Sequence, residues 1–190
     1  MTASVQPRPK HPQAHTLHLG EARVLASRLR LLALAALAIS AACLAGAFAF
    51  QYLGGLQPCP LCIAQRWAHA AVILAALAAL LRPGVATLGF TAIAGLNALV
   101  QAIRHVGIEQ HWWATECTGL TGAADQAPGD LFAQIMAASL VRCDEIAWQM
   151  AGISMAGWNG IVSAGIVALG AWGAWQARSL RRLRSPVWPA

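Results

Sequence analysis

Charge is what this sequence has least of. Only 11% of its 190 residues are charged, less than half the usual share of a soluble domain, roughly 25%. Acids are scarcer than bases, seven Asp and Glu against thirteen Lys and Arg. From Leu31 to Ile103 only Arg66 and Arg82 carry a formal charge. Hydrophobic residues make up 58% of the chain, and mean hydropathy is +0.55. A soluble domain of this length could bury a sizeable core, but not four apolar runs each near the roughly 20 residues that cross a bilayer. The net charge of +6 could suggest nucleic acid, yet the basic residues cluster at both termini beside apolar runs, as cytoplasmic flanks of a membrane protein do. Cysteine is sparse too. The five cysteines include a single Cys-x-x-Cys, and a closed zinc site would want a second pair of soft ligands at similar spacing.

The chain therefore reads as an all-α membrane protein, a bundle of four transmembrane helices with both termini cytoplasmic. Residues 1–30 form a basic tail with Pro7, Pro9 and Pro12 near its start, expected to be disordered, with His11, His15 and His18 solvated. Residues 31–177 make the membrane domain, with spans at 31–50, 61–81, 85–103 and 157–175. Ala47-Phe48-Ala49 resembles a signal cleavage site, but the basic region before the first span is too long and the apolar run too continuous. Residues 51–60 and 104–156 are the two outer loops, and 178–190 a second basic tail with Arg178, Arg181, Arg182 and Arg184. Arg82-Pro83-Gly84 is a tight basic turn on the cytoplasmic side, and Asn97 in the third span is expected to bond a neighbouring helix. In the fourth span Gly157, Gly160, Gly165, Gly170 and Gly173 are available for close helix contact.

The second outer loop differs in kind. It carries six acids, Cys117 and Cys143, a glycine-rich stretch from Thr118 to Gly129, and an apolar run from Leu131 to Leu140 too short to cross, expected as a short interfacial helix. Trp112, Trp113, Trp148 and Trp158 are read as interfacial anchors. An acidic, cysteine-bearing loop on the non-cytoplasmic side suits an oxidising compartment.

Gln57-Pro58-Cys59-Pro60-Leu61-Cys62 holds the chemistry. Pro60 suits the first position of a helix, where its missing N–H would have no partner, so Cys62 falls in the first turn. Unpaired N–H groups and the positive end of the helix dipole favour a thiolate there, and Arg66, at i+4, adds a full charge. Cys62, Arg66 and His69 share one helix face. Cysteine pairs of this kind favour thiol exchange over stapling, although two structural bridges or a thiol-held metal remain alternatives. Cys43, inside the first span, is the odd cysteine and expected to be inert.

Four spans, Cys59-Pro60-Leu61-Cys62 with Arg66 at the start of the second, Arg104-His105 at the end of the third, and an acidic second loop with Cys117 and Cys143 resemble the disulfide bond formation protein B (DsbB) family. The resemblance covers roughly Leu31 to Trp175. It implies a thiol:quinone oxidoreductase of the bacterial inner membrane with its active face periplasmic. Cys117 would form a mixed disulfide with a periplasmic DsbA-type thioredoxin-fold oxidase, and Cys143 would resolve it and exchange with Cys59. Cys62 would face the cofactor, ubiquinone or menaquinone, with Arg66 and His105 beside its ring. Where many members of the family have an acid, this chain has Gln65, so no acid–base role is assigned there. A vitamin K epoxide reductase-like protein would also combine four helices, cysteine pairs and a quinone, but usually carries its Cys-x-x-Cys nearer the last helices. The resemblance implies no metal.

Overall fold

A computed structural model describes residues 12–112 and 141–184. Its helices are α1 (Pro12–Tyr52), α2 (Pro60–Leu81), α3 (Val85–Glu109) and α4 (Met155–Arg184), with a two-stranded hairpin, β1 (Gln149–Met150) and β2 (Ile153–Ser154), leading into α4. All four helices are long and apolar enough to cross a membrane. Cys117 and the short helix expected at Leu131–Leu140 lie outside the described residues.

Size sorts the residues between inside and outside. Ala33, Ala36, Ala76, Ala79, Ala98 and Ala102 are almost wholly buried, whereas Leu74, Leu81, Phe90 and Ile93 are 62% to 79% exposed. Lipid tails are as apolar as leucine, so large side chains gain little by leaving them, while small ones let backbones approach and pack. The closest approach is between α3 and α4, where a Cβ on Gly170 would sit 2.6 Å from the backbone nitrogen of Ala92, and one on Gly95 would sit 2.9 Å from Ile166 Cγ2. Gly165, expected at a contact, faces open space. Asn97 lies exposed on α3 rather than turned to a neighbouring helix.

Helix lengths differ from expectation. α1 begins at Pro12, not near Leu31: Ala22, Ala26 and Leu29 pack against Ala177 and Leu180 of α4 and Ala79 of α2, and that tertiary contact carries the helix through a stretch whose composition reads as a tail. Arg30 Nε also donates to the Leu80 carbonyl, 3.2 Å away, at the end of α2. α3 runs six residues beyond Ile103, to Glu109, so Arg104, His105 and Glu109 are helical rather than loop.

At the opposite end α1 closes with Gly55 at φ +70° and the Leu56 N–H returned to the Phe50 carbonyl, 3.0 Å away. α2 starts with Pro60 as its first residue and Cys59 as the N-cap, in extended backbone. The hairpin turns through Ala151 and Gly152, both at positive φ (52° and 75°), the turn whose twist matches paired strands. Its last residue, Ser154, accepts the Gly157 N–H at 3.1 Å and so caps α4.

Candidate functional site

The N-cap of α2 is a sulfur. Cys59 Sγ accepts the backbone N–H of Cys62 at 3.2 Å, satisfying one of the donors that a helix start leaves unpaired. The two sulfurs lie 2.9 Å apart and unbridged, with Cys59 donating. That bond, and then burial, raise the pKa of Cys59. Cys62 is the sulfur left facing outward, half-buried, on the wall of a cavity.

The cavity encloses about 400 Å³ between α1, α2 and α4. Most of its wall is apolar, from residues such as Phe50, Leu56 and Val162. Cys62, Arg66 and His69, which share a face of α2, all line it, as the i, i+4, i+7 spacing implies. Arg66 is held from α1: its guanidinium donates to Gln51 Oε1 and to the Ala47 carbonyl (3.2 Å), and its charge lies 4.9 Å from the centre of the Phe48 ring. It is thus fixed among protein groups rather than reaching to the interface. Trp148 and Trp158 are wall residues, not simple anchors: Trp148 packs against Phe50 at 5.2 Å between ring centres, and Trp158 Nε1 donates to the Met150 carbonyl at 3.2 Å. Cys43, expected to be inert, also lines the cavity.

A second group meets Cys59 from behind. Cys143 is fully buried in a cluster with Cys59, Leu61 and Ile108, against which Cys62 and Val141 pack. Beside Cys143, the Arg142 guanidinium donates to both oxygens of Asp144 at 3.0 and 2.6 Å and holds that carboxyl below its ordinary pKa. His105 Nε2 lies 3.7 Å from Cys59 Sγ and 3.8 Å from Glu109 Oε1. Three of the four candidate cysteines and His105 therefore converge, and His105, like Arg66, also lines the cavity.

Sequence reasoning missed the groups behind His105. Gln65 Nε2 is 3.0 Å from His105 Nδ1, Asn159 Nδ2 donates to Gln65 Oε1 at 2.9 Å, and His69 Nε2 is 2.6 Å from Asn159 Oδ1. Gln65 and Asn159 are 94 positions apart, and neither stands in a motif. The signal within reach was the cost of an amide in a span, which makes a partner on a neighbouring helix the expectation.

The family model for disulfide bond formation protein DsbB matches residues 29–173. This chain belongs to the DsbB family. Among relatives of that name, disulfide bond formation protein B of Methylococcus capsulatus is 38% identical over 129 residues, covering 62% of this chain and 77% of that protein. The protein of the same name from Azoarcus sp. (strain BH72) is 33% identical over 148 residues, covering 74% and 88%. That from Haemophilus ducreyi is 32% identical over 118 residues, covering 57% and 65%. No solved structure matches the chain. Within the DsbB match lie the four apolar helices' central parts, both cysteines of the Cys-x-x-Cys, and the residues from Gln65 to Asn159 just described. A multi-pass membrane protein of the disulfide-forming class follows from the family and the helices together.

Proposed function

We propose that this chain is a thiol:quinone oxidoreductase that reoxidises a periplasmic DsbA-type dithiol oxidase. The observation that carries the reading is the position of Cys62: its partner Cys59 packs with Cys143, and its own sulfur lines a cavity walled by apolar side chains and by Arg66. Such a cavity suits a flat ring with an isoprenoid tail, and Arg66 is the group that would favour negative charge on a ring oxygen, more strongly in a dry site than in water. When bound, a quinone supplies a sink for two electrons and two protons. Ubiquinone and menaquinone both meet that description.

The thiol steps balance without further reactants. A thiolate of the reduced partner attacks a Cys117–Cys143 disulfide, forming a mixed disulfide at Cys117 and releasing Cys143 as thiolate. Cys143 then attacks Cys59 of a Cys59–Cys62 disulfide, and the electron pair leaves on Cys62, at the cavity. The second partner thiol resolves the mixed disulfide and frees Cys117. The Cys117 thiolate attacks Cys143 of the Cys143–Cys59 disulfide, restoring Cys117–Cys143 and leaving Cys59 and Cys62 reduced, so one dithiol is oxidised for each electron pair delivered. Burial of Cys143 against Cys59 supports this order of exchange.

Energetics explain why the sink must be a lipid-soluble oxidant. A DsbA-type dithiol sits near about −120 mV, and pushing two electrons uphill by even about 100 mV costs roughly 4 to 5 kcal/mol, so an ordinary protein disulfide at about −200 to −300 mV could not reoxidise it. Basic flanks put both termini in the cytoplasm and the cysteines on the periplasmic side of the inner membrane. Residues 1–30 and 178–190 would then be cytoplasmic, and 31–177 the working domain.

The test is quinone reduction by reduced partner with Cys62→Ser protein in lipid; retained turnover would remove Cys62 from the role. Cys59 Sγ, Cys62 Sγ and a ring nitrogen of His105 all lie within 4.8 Å of one another, close enough to share a soft cation. Metal analysis beside a free-thiol titration separates that alternative, because the redox reading expects no stoichiometric metal.

A further inference from the structure

Behind the sulfurs runs a line of polar side chains, and one backbone atom fixes its direction. Gln65 Nε2 lies 3.5 Å from the Gln101 carbonyl as well as 3.0 Å from His105 Nδ1. A carbonyl can only accept, so the amide nitrogen of Gln65 is the group that faces both. His105 Nδ1 must then accept, and the proton of the neutral ring is on Nε2, toward Cys59 Sγ at 3.7 Å. The same logic runs outward. Gln65 Oε1 takes the Asn159 amide N–H at 2.9 Å, Asn159 Oδ1 therefore accepts from His69 Nε2 at 2.6 Å, and His69 Nδ1 accepts from Ser40 Oγ at 3.3 Å. Each donor points the same way, and Ser40, His69, Gln65 and His105 are all buried.

Cys59 completes the argument from the other side. Its one proton goes to Cys62 Sγ, so what it offers His105 is a lone pair, and Nε2–H is the matching donor. Two further acceptors lie beside the His105 ring, the Cys143 backbone, which bonds it, and Glu109 Oε1 at 3.8 Å from Nε2, whose other oxygen takes the Ser154 hydroxyl; both, like the Cys59 sulfur, call for a proton on Nε2. The groups around the Cys59 sulfur are Cys62 of α2, His105 and Glu109 of α3, and the buried Cys143.

We propose that His69 and Asn159 are positioning residues which, through Gln65, keep the His105 proton on Nε2 and aimed at Cys59. With the other tautomer, a ring lone pair would face the sulfur, and a thiolate formed at Cys59 would lose a donor. The placement of the proton stands on geometry alone; its use in exchange rests on the thiol:quinone reading above.

Nitrogen-15 spectra of histidine-labelled, dithiothreitol-reduced full-length protein in lipid nanodiscs read the tautomer directly, with His105→Phe assigning the signal. Wild type is expected to show Nε2–H at His105, and Asn159→Leu a mixture or the Nδ1–H form. His69→Phe should act likewise, and His69→Gln, which keeps an N–H donor for Asn159, should restore the wild-type form, so a folding failure of one variant leaves the other to decide. In turnover with reduced partner, Asn159→Leu should lower kcat roughly tenfold, the scale of one hydrogen bond to a charged group; the tautomer rather than KM for quinone is the discriminating readout, because Asn159 and His69 also line the cavity. Added to His105→Phe it should cost nothing further. An unmoved tautomer in both Asn159→Leu and His69→Phe, or full additivity with His105→Phe, would overturn the proposal. Absence of quinone reduction by wild type would instead overturn the functional reading and leave the tautomer result standing.

Discussion

Cys59 and Cys62 are joined by two hydrogen bonds: the sulfur of Cys59 donates to that of Cys62 across 2.9 Å and accepts the Cys62 backbone N–H at 3.2 Å. The sulfur at the helix cap is thereby engaged by Cys62 from two directions, and the sulfur in the first turn is the one that lines the cavity. Cys62→Ser should reduce quinone-dependent turnover by at least about a thousandfold, as removal of one member of a catalytic unit does. Stopped-flow quinone absorbance with reduced partner measures it.

Arg66 ties α2 to α1 through Gln51 and Ala47 while lining the cavity. Arg66→Met should raise KM for quinone by about tenfold or more, given about 1.5 to 3 kcal/mol for a hydrogen bond to a charged group. Arg66→Lys should recover little, since a single ammonium cannot hold both α1 acceptors and face the cavity. An unchanged KM in both variants would make Arg66 purely a helix tie.

Gly170 meets the backbone of Ala92 so closely that an added Cβ would fall 2.6 Å from its nitrogen. Gly170→Ala should therefore destabilise the α3–α4 contact by about 1 to 3 kcal/mol, whereas Gly165→Ala, with open space before it, should be near neutral or slightly stabilising through helix propensity. Unfolding in mixed micelles against denaturing detergent compares the two.

Near Cys143, acid should loosen the chain. Arg142 holds Asp144 as a carboxylate below its ordinary pKa, chiefly by hydrogen bonding. A depressed acid favours the folded arrangement at pH values above its unfolded pKa, and that contribution disappears as pH falls through the lowered folded value. Alkylation of Cys143 by an acid-tolerant reagent, normalised to a free thiol, should rise below about pH 4, and Asp144→Asn should show the raised accessibility already at neutral pH. Equal accessibility in the two proteins at pH 7 would separate this ion pair from the burial of Cys143.

What composition and spacing could reveal, they did: four spans, a cysteine pair at a helix start, and one face of α2 carrying Cys62, Arg66 and His69. These are local properties, set by runs of apolar residues and by the helical period. The extension of α1 to Pro12 was hidden because alanines among arginines look like a tail until Ala177 and Leu180 of α4 are known to lie against them. The Ala151-Gly152 hairpin lacks the Asn-Gly or Asp-Gly signature of such turns. Gln65 looked like the loss of an acid, and only its contacts with Gln101, His105 and Asn159 give it a place. Partners brought together by tertiary packing leave no trace in sequence periodicity.

The packed end of the bundle has its own consequence. Leu29, Ala33, Ala79, Leu88, Ala177 and Leu180 leave at most 2% of their surface open, and Ala79 lies about 30 Å along α2 from Cys59 at 1.5 Å per residue. Among the described residues, a small thiol such as glutathione approaching from that end meets a dry plug of buried Leu and Ala side chains. On the proposed topology, the same alanines that let the helices touch would act as insulation, keeping a reducing cell interior from short-circuiting an oxidising reaction on the other face.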